Sequence, residues 1–423
     1  MEIYVVRRGD TLYALARRFS VPTEDIVYAN QLQNPDLLMV GQALLIPRAQ
    51  TRYTVRWGDT LNAIALRYGL SLRRLLDANP QITNPDRIIA GQALFLPPSS
   101  PYQGDMLVNG YVTDVSEDTL RATLPYLSFL SPFSYRIDMA GNLIRSFRVM
   151  PELSAVQQVA NLLTLTNLRE QGGFSSDVAH AVFTDGDIQS RLLSQLEQIL
   201  EAGGYRGVNL DFEYVYPFDR DSYNQFLQRL TDRLHGLGYL VVSALAPKLS
   251  DSQQGLLYAA HDYAFHGKTV DYVVLMTYEW GYTYGPAMAV SPLHMVKRVL
   301  DYAVSVMPAG KILMGVPNYG YDWTLPFVQG SAARVLSNVQ AISLAARQRV
   351  AIQYDLQAQS PFFRYQDDSG RQHEVWFEDA RSLQAKYRLV KEYGLAGVSF
   401  WNLNTLFRTS FLVLESEYSV EKL

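Results

Sequence analysis

The chain has 423 residues, 48% hydrophobic and 18% charged, with a net charge of −4 and no cysteine. That length exceeds what one hydrophobic core usually serves, so more than one folded domain is expected. The missing cysteines exclude disulfides, thiolate metal sites and cysteine nucleophiles, and the small net charge gives no reason to expect nucleic acid as a partner. The first residues lack the basic and long apolar regions of a secretory leader, and no apolar run reaches the roughly 20 residues a membrane helix needs, so neither export signal nor membrane span is expected.

The first hundred residues repeat themselves. Tyr4-Val5-Val6-Arg7-Arg8-Gly9-Asp10-Thr11-Leu12 returns as Tyr53-Thr54-Val55-Arg56-Trp57-Gly58-Asp59-Thr60-Leu61. Ala29-Asn30 returns as Ala78-Asn79, Asn34-Pro35-Asp36 as Asn84-Pro85-Asp86, and Gly41-Gln42-Ala43-Leu44 as Gly91-Gln92-Ala93-Leu94. Each unit opens with a short alternating strand, turns at Gly-Asp and enters a helix with Thr as its N-cap. Leu12, Leu15, Ala16 and Phe19, mirrored by Leu61, Ile64, Ala65 and Tyr68, have helical spacing. A second short helix and a closing strand complete two β-α-α-β modules, over residues 1–48 and 52–98.

These stretches resemble the LysM module. The resemblance implies binding of glycans that contain N-acetylglucosamine, such as peptidoglycan or chitin, in the groove between the Gly-Asp-Thr loop and the loop before the closing strand. It makes Asp10, Thr11, Asp59 and Thr60 candidate glycan contacts. From the residues alone, the same Asp and Thr equally build a turn and a helix cap. Two weak sites on one chain would also lengthen residence on a polymer.

Pro97-Pro98-Ser99-Ser100-Pro101 reads as a short, stiff linker, leaving residues 102–423 as a second unit. There, strand-like runs over 106–112, 126–131, 161–166, 207–214, 240–246, 270–278, 311–318 and 395–401 alternate with amphipathic stretches over 188–202, 221–237, 292–305 and 381–393. Strict alternation predicts a parallel sheet, and eight strands predict a closed (β/α)8 TIM barrel, an α/β fold. Short strands over 353–355, 362–365 and 373–377, around Asp367-Asp368-Ser369-Gly370, predict a small α+β insertion at about 324–380, between strands seven and eight.

The chemistry concentrates in Gly207-Val208-Asn209-Leu210-Asp211-Phe212-Glu213. Alternation along a strand puts Asn209, Asp211 and Glu213 on one face, inward in a barrel. Two carboxyls with Cα atoms roughly 7 Å apart resist ionising together, so one tends to keep its proton. Glu213, nearer the carboxyl end where barrel substrates bind, reads as a general acid, with Asp211 as the deeper partner that tunes it.

This segment resembles the signature of family 18 glycoside hydrolases, Asp-Gly-x-Asp-x-Asp-x-Glu on the fourth strand. Asp211 and Glu213 match its last two acidic positions, whereas Asn209 stands at the second Asp and Arg206 at the first. Met276-Thr277-Tyr278-Glu279 and Ser399-Phe400-Trp401 match the family at the ends of strands six and eight. The resemblance implies that the Tyr278 hydroxyl binds the substrate acetamide, that Met276 lines the same site and that Trp401 forms an apolar floor. Asn209, on the inward face of strand four, is expected to contact substrate as well, and Tyr111 and Asn318 join the list of substrate contacts by their place at the ends of strands one and seven. Because Asp211 sits behind Glu213 on one strand, the resemblance implies that the substrate's own 2-acetamido oxygen is the nucleophile, with no cofactor. The histidines form no ligand constellation, so no metal is expected.

Pro317-Asn318-Tyr319-Gly320-Tyr321-Asp322-Trp323 and Glu279-Trp280-Gly281 are further similar to family members that lyse spore cortex fragments. That implies a monomeric N-acetylglucosaminidase of peptidoglycan, made in the cytoplasm and placed on the bacterial spore at the boundary of coat and cortex. The alternatives are a chitinase and a non-catalytic, glycan-binding coat protein.

Overall fold

The computed structural model describes residues 1–47, 51–68, 70, 72–79, 81–82, 84–96, 103–133, 135–145 and 159–423; the expected linker over 97–101 lies outside them. Both repeats form two-stranded antiparallel sheets, Glu2–Val5 on Ala43–Ile46 and Thr51–Thr54 on Ala93–Leu96. Along the chain, helices Leu12–Phe19 and Thr23–Asn30 come between the two strands of the first repeat, and Leu61–Arg67 and Leu72–Asp77 between those of the second. The recurring asparagine has a structural task. Asn30 donates to the Ile26 and Leu45 carbonyls and accepts from the Leu45 amide, and Asn79 does the same with Leu75 and Phe95. A buried amide that satisfies helix end and strand together fixes the angle between them.

The larger unit is a closed parallel barrel. Its strands, in order, are Gly104–Val112, Phe129–Pro132, Ala160–Thr166, Gly207–Asp211, Leu240–Leu245, Tyr272–Leu275, Ile312–Pro317 and Gly397–Trp401. Each pairs in parallel with the next, and the eighth pairs with the first. Nearly every strand residue is buried, as required where helices cover the outside and side chains fill the inside. The expected amphipathic stretches are helices Gly186–Gly203, Arg220–Gly236, Leu293–Val306 and Ala380–Tyr393.

The strands differ from their expected limits for local reasons. The second starts at Phe129 because Leu124–Tyr126, with Pro125 in its first turn, makes a 3-10 turn instead. The sixth ends at Leu275, where Thr277 and Tyr278 donate back to the Leu275 and Met276 carbonyls and curl the chain. The insertion is a five-stranded antiparallel sheet ordered Arg334–Ser337, Tyr319–Leu325, Gln372–Trp376, Ser360–Gln366 and Gln353–Asp355, with helix Asn338–Arg347. It opens at Tyr319, directly after the seventh strand, rather than near 324. Among the described residues no helix is long and apolar enough to cross a membrane.

Candidate active site

The ladder of strand four stops at Asp211, two residues before Glu213. Beyond that point side chains replace the missing ladder. The His261 imidazole accepts from the Ala246 amide through Nδ1 and bonds the Phe212 carbonyl through Nε2, at 2.9 and 3.0 Å. Asn167, just past strand three, accepts from the Glu213 amide at 3.1 Å and donates to the Glu213 carbonyl at 2.8 Å. The Ser176 hydroxyl donates to the Tyr214 carbonyl. Asn167 and His261 were not singled out as site residues in the sequence. Strand three, Ala160–Thr166, carries no motif, so the one signal for Asn167 is a polar residue just past a barrel strand end.

Six described non-glycine residues hold left-handed backbone, and two of them stand at the barrel mouth, Tyr214 at φ 54° and Glu279 at φ 66°. Each directly follows a candidate catalytic residue, Glu213 and Tyr278. Such geometry costs on the order of 1–3 kcal/mol and persists where surrounding contacts over-determine it. It turns the chain sharply at the barrel mouth, just after Glu213 and Tyr278, which lie beyond the ends of strands four and six.

Glu213, Asp211, Tyr278, Glu279 and Tyr111 lie within electrostatic reach of one another. Burial pushes the Asp211 carboxyl well above the usual carboxylate range. Glu213 is pushed up by burial first, then by the neighbouring Asp211 and Glu279 charges. The phenols of Tyr111 and Tyr278 are held protonated by burial. The arrangement therefore stores protons at a site open to solvent through Glu213, which is only partly buried.

Other expected contacts take distinct places. Asn209 is fully buried a layer beneath Asp211, where its amide donates to the Tyr111 hydroxyl at 2.8 Å and to Ser131 at 3.1 Å, so it supports the site from below and has no surface for substrate. The chain of bonds runs on from Ser131 to Asn109 and Ser399. Trp401 is partly exposed and meets Tyr111 and Phe133 edge-on at 5.4 and 5.2 Å, forming an aromatic floor. Met276 packs beside it. Asn318 reaches the mouth, yet its amide donates to the Asn402 and Thr405 carbonyls and holds the loop after strand eight. Gly315 makes room for the phenol, since a Cβ there would stand 2.7 Å from Tyr278 Cε1.

Glu279, quoted in the sixth-strand motif without a role, is the other carboxylate of the site. It accepts from the hydroxyls of Tyr319 and Tyr321 on the insertion sheet, which ties that sheet to the barrel mouth. In the repeats, Asp10 accepts from Tyr4 and the Arg7 amide, Asp59 accepts from Tyr53 and the Arg56 amide, and Thr11 and Thr60 cap their helices. Those four side chains therefore build turn and cap. Among the described residues no group of three or more His, Asp or Glu is arranged to hold a metal.

A closed (β/α)8 barrel with paired carboxyls at the carboxyl end of strand four and an aromatic floor is a glycosidase architecture. The pattern of glycosyl hydrolases family 18 matches residues 166–405, and that of the LysM domain matches 4–47 and 53–97. The chain belongs to glycosyl hydrolases family 18. It is 45% identical over 431 residues to the cortical fragment-lytic enzyme of Bacillus subtilis (strain 168), spanning 100% of this chain and 99% of that one. The crystal structure of the spore cortex-lytic enzyme SleL of Bacillus megaterium QM B1551 matches with a TM-score of 0.84 at 39% identity, over 100% of this chain and 99% of that one. A chitinase from Chromobacterium violaceum ATCC 12472 matches with a TM-score of 0.69 at 26% identity, over 74% of this chain and 98% of that one.

Two outcomes follow from this geometry. A carboxyl whose pKa is raised by folding contributes stability that is fully present below its unfolded value and is lost as pH rises through its folded value. Asp211→Asn is therefore expected to gain stability relative to the parent as pH rises from about 5 to about 8; denaturant midpoints at both pH values check this. Asn167→Ala frees the Glu213 peptide and is expected to lower kcat by roughly 10- to 100-fold with KM little changed, as loss of orientation does; steady-state kinetics on a soluble N-acetylglucosamine oligomer measure it.

Proposed function

We propose that the chain hydrolyses N-acetylglucosaminyl bonds in spore cortex peptidoglycan fragments, with retention of configuration and with Glu213 as general acid and base. The observation that carries this reading is the grouping of Glu213 with Asp211 and Tyr278 in a desolvated barrel mouth. Glu213, kept protonated by its surroundings, gives its proton to the glycosidic oxygen as that bond to C1 breaks. The substrate's 2-acetamido oxygen forms the new bond to C1, giving an oxazolinium ion. Tyr278 donates to that oxygen, and Asp211 takes up the positive charge growing at the acetamide nitrogen. Glu213, now a carboxylate, takes a proton from water as the water oxygen attacks C1, which reopens the ring and returns the acid form. Trp401, on Tyr111 and Phe133, supports the apolar face of the distorted sugar.

Peptidoglycan as the polymer, and the spore as the place of action, are supported by the likeness to cortex-lytic proteins over the whole chain and by the two LysM domains. The likeness to a chitinase favours chitin as the second reading. Muramic sugars differ from N-acetylglucosamine at carbon 3, so chitin oligomers and cortex fragments supplied side by side separate the two. Glu213→Gln is expected to lower turnover of cortex fragments by roughly 10²- to 10⁴-fold while glycan binding persists. Unchanged turnover by product chromatography would overturn the assignment.

A further inference from the structure

The two repeats share a sequence but not an environment. In the first, the loop before the closing strand is buried against the catalytic unit. Met39 packs among Leu336, Ala341, Ile352 and Phe363 of the insertion. The Ile352 amide donates to the Val40 carbonyl at 2.9 Å, and the Arg381 guanidinium donates to the Gly41 carbonyl at 3.1 Å. A Cβ at Gly41 would stand 1.8 Å from the Ile352 carbonyl oxygen, so the approach admits glycine alone.

The barrel holds the same repeat from a second side. Gln31 donates to the Leu406 carbonyl at 3.1 Å and accepts from the Arg408 amide at 2.6 Å. The Thr409 hydroxyl donates to the Ala29 carbonyl at 3.0 Å, and the Arg408 guanidinium lies 3.8 Å from the centre of the Tyr28 ring. Ala43 and Leu45, on the outer face of the closing strand, join the barrel core.

The matching positions of the second repeat face solvent. Ile89, the counterpart of Met39, is 74% exposed, and a Cβ on Gly91 would meet nothing within 4 Å. Trp57 stands next to Gly58-Asp59-Thr60, where the first repeat carries Arg8, and is 95% exposed. Hydrogen bonds between Val55 and residues 91 and 92 tie the base of the Trp57 loop to the base of the Ile89 loop. Among the described residues, the second repeat's apolar cluster contains only its own side chains. The indole and the isoleucine thus stand exposed on the two loops between which the LysM resemblance puts the glycan, loops joined at their bases.

We propose that the first repeat is a structural clamp between barrel and insertion, and that the second repeat alone holds the glycan strand of peptidoglycan, through Trp57 and Ile89. The C–H face of a pyranose stacks on the indole, while Ile89 covers the acetamido methyl group from the other loop. Because the apolar cluster of the second repeat is made of its own side chains, that module can stay on the polymer while the barrel works on nearby bonds. This rests on the glycan-binding part of the proposed function and assigns it to one repeat.

The test is co-sedimentation of the full chain with insoluble peptidoglycan. The double variant Trp57→Ala/Ile89→Ala is expected to weaken binding about 10-fold or more, as removal of an aromatic anchor does, with the melting temperature unchanged. Arg8→Ala is expected to bind as the parent does, and Tyr28→Ala to bind as the parent does but melt at a lower temperature. Binding that survives the double variant, or that Arg8→Ala weakens equally, overturns the division of labour while leaving the glycan reading intact. A parent chain that sediments with no peptidoglycan, or with chitin only, overturns both.

Discussion

Asp211 at the end of strand four and Glu213 two residues beyond it share a barrel mouth where burial disfavours two negative charges side by side, and the rest of the molecule follows from that constraint. Burial favours the acid form of both, and the Asp211 and Glu279 charges add to this at Glu213, so in the proposed reaction a proton is at hand for the leaving oxygen. The same forces oppose folding once the pair ionises, so the scaffold has to hold the pair in place. It does so where the ladder of strand four has ended, with Asn167 bonding both the amide and the carbonyl of Glu213, His261 the Phe212 carbonyl and Ser176 the Tyr214 carbonyl. A barrel rim suits this task, because neighbouring strands supply such side chains from both flanks.

The insertion and the first repeat extend the same rigidity outward. Tyr319 and Tyr321 hold Glu279 against the barrel, and Trp323 donates to the Gly285 carbonyl, so the insertion is anchored to the loop that follows strand six. The first repeat then bridges the insertion to the last barrel helix, Arg408–Glu417. The second repeat has its own small core and, in the proposed division of labour, is the part that follows the polymer.

Much of this was readable in the residues because period carries fold. Repeats at constant spacing and apolar runs in alternation with amphipathic ones give modules and barrel without any tertiary knowledge, and the motif on strand four places both carboxyls. What escaped the sequence were partners distant along the chain. Asn167 meets Glu213 only because strands three and four are neighbours, and nothing local marks it. Asn209 and Asn318 stand at site-like positions, yet one lies a layer too deep and the other is bonded to the loop after strand eight. The difference between the repeats was also invisible, since Met39 and Ile89 are both apolar and only the surroundings separate them.

The central claim is that the acid at position 213 works with a nucleophile supplied by the sugar itself. Proton NMR of the first product formed from an N-acetylated oligomer, alongside the same oligomer stripped of its acetyl groups, tests this most directly. The account predicts a β-anomer released first and no cleavage of the stripped oligomer. An α-anomer, or equal cleavage of both oligomers, would contradict it.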